Sequence, residues 1–273
     1  MIRFGRYNLS EISINRIVSA FKSRAGEAPH TFAWEFSPAA RKNRERIKNY
    51  QAKHKGERCF IVANGPSLLK TNLELIKNEN SIGMNRIYLR FNETSFRPTY
   101  YVAVNELVLE QFALEISELD MPKFLNWNKR SYFDVHDPNC VFVKSKFVVR
   151  DSFQDNLTKP LAFGGTVTFV ALQIAYYMGF EKVILIGLDH KYADKGLPNK
   201  TEKRMTDRDL SHFHPNYFPK GIKWQLPDLL RSEIAYEIAR RAYENAGREI
   251  LDATIQGNCP VYKKVEYLSL FYR

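Results

Sequence analysis

The stretch Cys59-Phe60-Ile61-Val62-Ala63-Asn64-Gly65-Pro66-Ser67-Leu68-Leu69-Lys70 restricts the fold more than any other. Its apolar run, with β-branched and aromatic members, reads as a buried parallel strand, and Asn-Gly-Pro-Ser breaks it sharply before a Leu-rich segment of helical character. This is the first strand-loop-helix step of an α/β sheet. Gly65 lets backbone approach a ligand, Pro66 fixes φ, and Ser67 can cap the next helix, whose free N–H groups then favour an anion. The same pattern also describes an ordinary tight turn.

At 273 residues the chain can bury a substantial core, and 44% hydrophobic with 26% charged residues is the composition of a globular protein. No apolar run reaches the roughly 18 residues of a membrane span, and Met1-Ile2-Arg3-Phe4 does not open like a signal peptide, so the expected location is the cytoplasm. Cys59, Cys140 and Cys259 have neither disulfide-framework nor metal-ligand spacing and read as core residues.

The charge is uneven. Residues 1 to 58 hold thirteen Lys/Arg against five Asp/Glu, a surplus of eight out of the chain's +11, which leaves +3 for the other 215 residues. The expected division is a basic helical extension over 1–57 and a catalytic domain over 58–273. Basicity confined to the extension argues against a nucleic-acid partner for the main domain and directs the extension towards phosphates, a membrane surface or an acidic partner. Ile14, Ile17, Val18 and Phe21 recur at helical spacing beside Arg16, Lys22 and Arg24, which describes a short basic amphipathic helix. It can dock on the cytoplasmic leaflet, on the body of the protein or on another subunit of a homo-oligomer. Arg41 to Lys55 reads as a solvated helix.

Ser81-Ile82-Gly83-Met84 and Pro98 to Val104 read as the next two strands, so three successive strands end in Asn64, Asn85 and Asn105, about one βα repeat apart. Ligands of open α/β sheets bind beyond the carboxyl ends of the strands, which would bring three amides to one crevice, although Asn is also a common turn residue. Lys123 to Trp127 and Cys140 to Val143 are further strands, and 145–160 reads as loop. Phe163-Gly164-Gly165-Thr166 then opens a buried helix closed by Gly179, with Thr166 near its N-cap, an entrance suited to phosphate. Lys182 to Gly187 is a central strand whose end, Asp189, joins the rim. Residues 191–223 are too long for a connector, and their Ser211-His212-Phe213-His214-Pro215-Asn216-Tyr217 cluster suits a lid carrying a general base. His212 and His214 could instead bind metal, but no acidic or Cys partner has the spacing of a known site. A helix over 227–248, a last strand at 250–254 and a tail packed on the body complete the reading: an α/β, Rossmann-like, open and mostly parallel sheet flanked by helices.

Taken in order, Ile61 to Ser67, Asn85, Asn105, Gly165-Thr166-Val167 and Ile184 to Asp189, with the His-bearing loop, resemble the bacterial sialyltransferases of lipooligosaccharide synthesis. The chain is more similar still to the related group described as 6-hydroxymethylpterin diphosphokinase-like or as motility accessory factors of flagellin glycosylation, through His212 to Tyr217 and Asn258-Cys259-Pro260-Val261-Tyr262. The resemblance covers about residues 58 to 265. It implies a glycosyltransferase that moves a sialic-acid-like sugar from a CMP-sugar co-substrate to a surface-glycan or glycoprotein acceptor, with no required cofactor or metal. Donor binding would fall to Asn64, Gly65, Pro66, Ser67, Asn85, Asn105, Gly164, Gly165 and Thr166. Phosphate contacts would fall to Tyr192 or Tyr217, the base role to His214 with His212 the runner-up, and support to Asp189. The pattern departs in the basic extension, in the one-residue-wider spacing of Asp189 and Tyr192, and in the two competing histidines. The alternatives are a pterin-type pyrophosphokinase using ATP and Mg²⁺, against which no G-x-x-x-x-G-K-[ST] loop is present, and a non-catalytic nucleotide-binding scaffold.

Overall fold

The computed structural model describes residues 3–4, 7–8, 14–146, 148, 150–194 and 196–272, with side chains from residue 25 onward within those ranges. Two short strands, β1 (Arg3–Phe4) and β2 (Tyr7–Asn8), pair with each other ahead of helices α1 (Ile14–Phe36) and α2 (Pro38–Lys48). The body follows as β3 (Arg58–Val62), β4 (Ser81–Met84), β5 (Tyr100–Ala103), α3 (Glu106–Gln111), α4 (Ala113–Ser117), β6 (Lys123–Asn126), β7 (Cys140–Val143), α5 (Val167–Met178) and β8 (Lys182–Ile186). Strands β9 (Thr201–Lys203) and β10 (Lys223–Gln225), helix α6 (Leu229–Asn245), β11 (Glu249–Asp252) and β12 (Lys263–Lys264) complete it.

Eight strands form one parallel sheet in the order β12-β11-β8-β3-β4-β5-β6-β7. Ile61 of β3 faces Ile82 of β4 on one side and Leu185 of β8 on the other. Both faces of the sheet are covered, which is why the strands read as unbroken apolar runs; β4 to β7 are buried at every position. From β3 the chain winds outward through β4 to β7, then returns to β8 on the opposite side. The order therefore reverses between β3 and β8, and an α/β sheet opens a crevice at such a point. The Rossmann-like expectation holds.

The Leu-rich segment after β3 is not an α-helix. Pro66–Lys70 and Leu73–Ile76 form two 3₁₀ turns, because Thr71 is extended and Asn72 starts a new cap by accepting from Glu74 N–H at 3.1 Å. Thr166 caps α5 and Gly179 closes it at φ 94°, as the sequence predicts. The three cysteines are free and buried. Among the described residues no helix is long and apolar enough to cross a membrane.

The extension is continuous with the body from about residue 27 onward. Trp34 is buried edge-on against Trp127, whose Nε1 donates to the His30 carbonyl at 3.0 Å. The stretch from Arg41 is solvated on one side, as expected, but α2 also has a packed side: Ala40, Asn43 and Ile47 are buried. Asn43 accepts from Phe142 N–H at 2.7 Å and donates to Phe142 C=O at 2.8 Å, so its amide satisfies the open edge of β7. His54 stacks on Phe180 and lies 2.7 Å from the Tyr100 hydroxyl. The Ile14, Ile17, Val18 and Phe21 stripe lies on the α1 backbone, but its side chains are outside the described residues.

Residues 191–223 are tied down by an antiparallel ribbon, with Trp224 facing Glu202. The tail packs on the body: Lys264 pairs with the buried Asp252, and Tyr267 donates to the Asn72 carbonyl at 2.8 Å.

Candidate active site

The carboxyl ends of β3, β4, β5, β6 and β8 open into a cleft of about 650 Å³, covered by the segment from Ser211 to Leu226. Asn64, Asn85 and Asn105 all line it, and so does a fourth strand-end amide, Asn126. Asn64 donates to the Met84 carbonyl at 3.0 Å, and Asn126 donates to the Val104 carbonyl at 3.2 Å, each clamping a neighbouring strand end. The amide oxygens of Asn64 and Asn85 are buried and meet no hydrogen-bond partner among the described residues. Two unpaired acceptors in a concave site are matched by a ligand that brings donors, such as an amine or hydroxyls. Asn85 sits at φ 47°, a left-handed conformation that Asn tolerates. Asn105 is committed elsewhere: its oxygen caps α3 on Leu107 and Val108 N–H, and its amide donates to Gln225 of the ribbon at 3.2 Å.

The first strand-loop step does not hold its anion for a ligand. Asp189 itself occupies the place, accepting from Ser67 N–H at 3.0 Å and from Ser67 O–H at 2.6 Å. A Cβ on Gly65 would lie 1.9 Å from Asp189 Oδ2, so the glycine makes room for this carboxylate. Burial raises the Asp189 pKa; the Ser67 hydrogen bonds oppose it and the nearby Asp252 charge adds to it. Pro66 and Ser67 thus face a second, smaller cavity beside the cleft, with Asp189 and Tyr192 forming the shared wall.

At the α5 entrance Gly164 and Gly165 both have positive φ, and a Cβ on Gly164 would strike Phe169 and Ala235. Gly165 and Thr166 line the cleft and Gly164 lies behind them. The Thr166 hydroxyl is 3.1 Å from that of Tyr236. Arg231, on the next helix, reaches the same entrance and is held by a two-pronged pair to Asp151 at 2.8 and 2.9 Å.

His212 lines the cleft, with Nδ1 2.9 Å from Oδ2 of the fully buried Asp209. Ser211 N–H also donates to Asp209, and Arg204 stands 3.5 Å away. Burial pushes the Asp209 carboxyl up, but His212, the Ser211 N–H and Arg204 outweigh it and hold the pKa below its ordinary value. Beneath the imidazole, Tyr217 stacks at 4.0 Å and 4°. Tyr217 is buried, and its hydroxyl accepts from Arg86 N–H at 3.4 Å, which makes the ring a platform for His212 rather than an open phosphate contact. Tyr192 is a tyrosine at the rim; burial, then the Asp189 and Asp209 charges, raise its pKa.

His214, the histidine expected as base, does not line the cleft. Its Nδ1 accepts from Asn216 N–H at 3.1 Å, closing a local turn. Phe213 N–H donates to the Asn64 carbonyl at 3.0 Å, which ties this segment to the end of β3. Sequence reasoning also missed His190, which lines the cleft 2.9 Å from Glu233. Asn126 was findable, since 64, 85, 105 and 126 continue one spacing; Asp209 had no marker in a polar run.

The arrangement offers a carboxylate-supported imidazole, unpaired amide oxygens and a helix entrance within one cleft, a set able to bind a polar ligand and move a proton. In fold the chain is similar to a solved motility accessory factor (MAf) glycosyltransferase from Magnetospirillum magneticum AMB-1, at 14% identity and TM-score 0.50, over 85% of this chain and 39% of that one. It therefore spans well under half of that neighbour's length. No curated protein matches the chain. Residues 36–195, more than half of the sequence, match a family profile, and the chain belongs to that family, 6-hydroxymethylpterin diphosphokinase MptE-like.

Proposed function

We propose that this protein is a glycosyltransferase that moves a sialic-acid-like, nonulosonic or related sugar from a CMP donor to a hydroxyl of a surface-glycan or glycoprotein acceptor, with His212 as general base. The observation that carries the reading is the His212–Asp209 pair at the cleft, because an acceptor hydroxyl needs a base and an imidazole held by a buried carboxylate is one. Asp209 fixes the proton on Nδ1, so Nε2 takes the hydroxyl proton as the acceptor oxygen bonds to the anomeric carbon and the sugar–phosphate bond breaks. CMP leaves with that electron pair. Asn64 and Asn85 accept from the cytidine amine or ribose hydroxyls, while the Gly165-Thr166 entrance of α5 and Tyr192 meet the single phosphate. The ribbon-bound lid keeps water from the oxocarbenium-like centre.

A second reading, a pyrophosphokinase that uses ATP and Mg²⁺, is favoured by the family's description and by Lys191 at the cleft. Calorimetry with CMP and with ATP, each with Mg²⁺ and with EDTA, separates the two. The transferase binds CMP and keeps it in EDTA; Mg²⁺-dependent ATP binding without CMP binding establishes the kinase instead.

A further inference from the structure

Helix α1 has two unlike faces. Glu27, His30 and Trp34 lie on one side and meet the body: Glu27 accepts from Lys144 and Asn128, each at 2.7 Å, and Trp34 is buried. At about 100° per residue, Ala25, Ala28, Phe32 and Phe36 fall on the opposite side, and all four are exposed. Phe32 and Phe36 are 68% exposed each, with ring centroids 4.8 Å apart, an aromatic pair open to solvent. In the sequence Ile14, Val18 and Phe21 precede these residues at helical spacing.

We infer that this outward face of α1 docks on an anionic lipid surface. The exposed aromatic pair supplies apolar surface for the boundary of headgroups and acyl chains, and the surplus of cations in the same stretch of chain suits an interfacial helix on anionic lipid. Over residues 14–48 the chain carries eight Lys/Arg against three Glu, and one of those acids, Glu27, is already engaged with Lys144. Arg41 and Lys42, which follow Phe36 at the start of α2, are both exposed. A second copy of the chain would bring the same positive charge to the face, whereas anionic headgroups complement it. The inward face of the same helix connects to the cleft lining. Asn128, bonded to Glu27, donates to the Ser145 hydroxyl at 3.4 Å, and Ser145 lines the cleft.

The test is co-sedimentation of the full chain with phosphatidylcholine vesicles, with and without phosphatidylglycerol, alongside the double variant Phe32→Ser/Phe36→Ser and the charge variant Arg41→Glu/Lys42→Glu. Binding is expected only with phosphatidylglycerol, to weaken as salt is raised, and to fall about tenfold or more in the aromatic double variant and severalfold in the charge variant. Both variants alter exposed side chains and should keep the wild-type melting temperature. Failure of the wild type to bind these vesicles overturns the inference, as does equal binding by the aromatic variant. Dimerisation in the ultracentrifuge that the aromatic variant abolishes assigns the face to a second copy and also overturns it. Vesicle binding is read without nucleotide, so its outcome is independent of the transferase reading.

Discussion

The imidazole of His212 is held between two fixed partners, the buried Asp209 carboxylate 2.9 Å from Nδ1 and the Tyr217 ring stacked at 4.0 Å. On the transferase reading, that leaves Nε2 as the base. Replacing His212 by Ala should lower kcat by about 10²- to 10⁴-fold with donor affinity nearly intact, while His214→Ala should stay near wild type. Steady-state kinetics of both variants checks this, and the reverse ranking returns the base role to His214.

Asp209 gives a pH prediction. Its folded-state pKa lies below the unfolded value, so the carboxylate adds stability that is present above the unfolded value, about 4, and is lost as pH falls through the lower folded one. Asp209→Asn should therefore lower the melting temperature at neutral pH and converge on the wild type under strong acid. A difference independent of pH, measured by thermal unfolding from pH 7 downward, would contradict the assignment.

Gly65 and Asp189 interlock by contact, which makes a small substitution costly. Gly65→Ala places a methyl against the Asp189 carboxylate and should break its bonds to Ser67. The expected loss is about 1 to 3 kcal/mol, from polar groups left unpaired in a partly buried site. Asp189→Asn should be milder, because burial already raises the carboxyl's pKa and a neutral amide of the same shape still accepts from Ser67. Urea unfolding of both variants tests the ranking.

Asn85→Gly removes one unpaired acceptor from the cleft, touches no described clamp through that oxygen, and suits the left-handed φ of 47° at this position. It should weaken CMP by about 1 to 3 kcal/mol without loss of stability. Asn64→Ala should weaken CMP and also destabilise the fold, since Asn64 clamps Met84. Calorimetry paired with thermal unfolding distinguishes the two.

The parallel sheet was legible because each buried strand is an apolar run ending in a polar residue, as at Val62-Ala63-Asn64 and Ile186-Gly187-Leu188-Asp189. The cleft-lining amides followed from that register, and the buried α5 from its all-round apolar pattern. Asp189 was placed at the rim, but its capture by Ser67 depends on the β3–β8 juxtaposition, which no local pattern encodes. The choice between His212 and His214 was equally hidden, because both sit in one local pattern and only the folding of this segment onto β3, where Phe213 N–H meets the Asn64 carbonyl, brings His212 to the cleft. Asn43 read as a solvated helical residue because its partner, Phe142, lies 99 positions away.

The central claim is metal-independent transfer from a CMP donor through His212, and release of CMP from a CMP-nonulosonic donor in EDTA tests it most directly. The account predicts CMP release by the wild type in EDTA, reduced about 10²- to 10⁴-fold in His212→Ala. No release of CMP in EDTA, together with Mg²⁺-dependent conversion of ATP to AMP when a pterin alcohol is supplied, would contradict it.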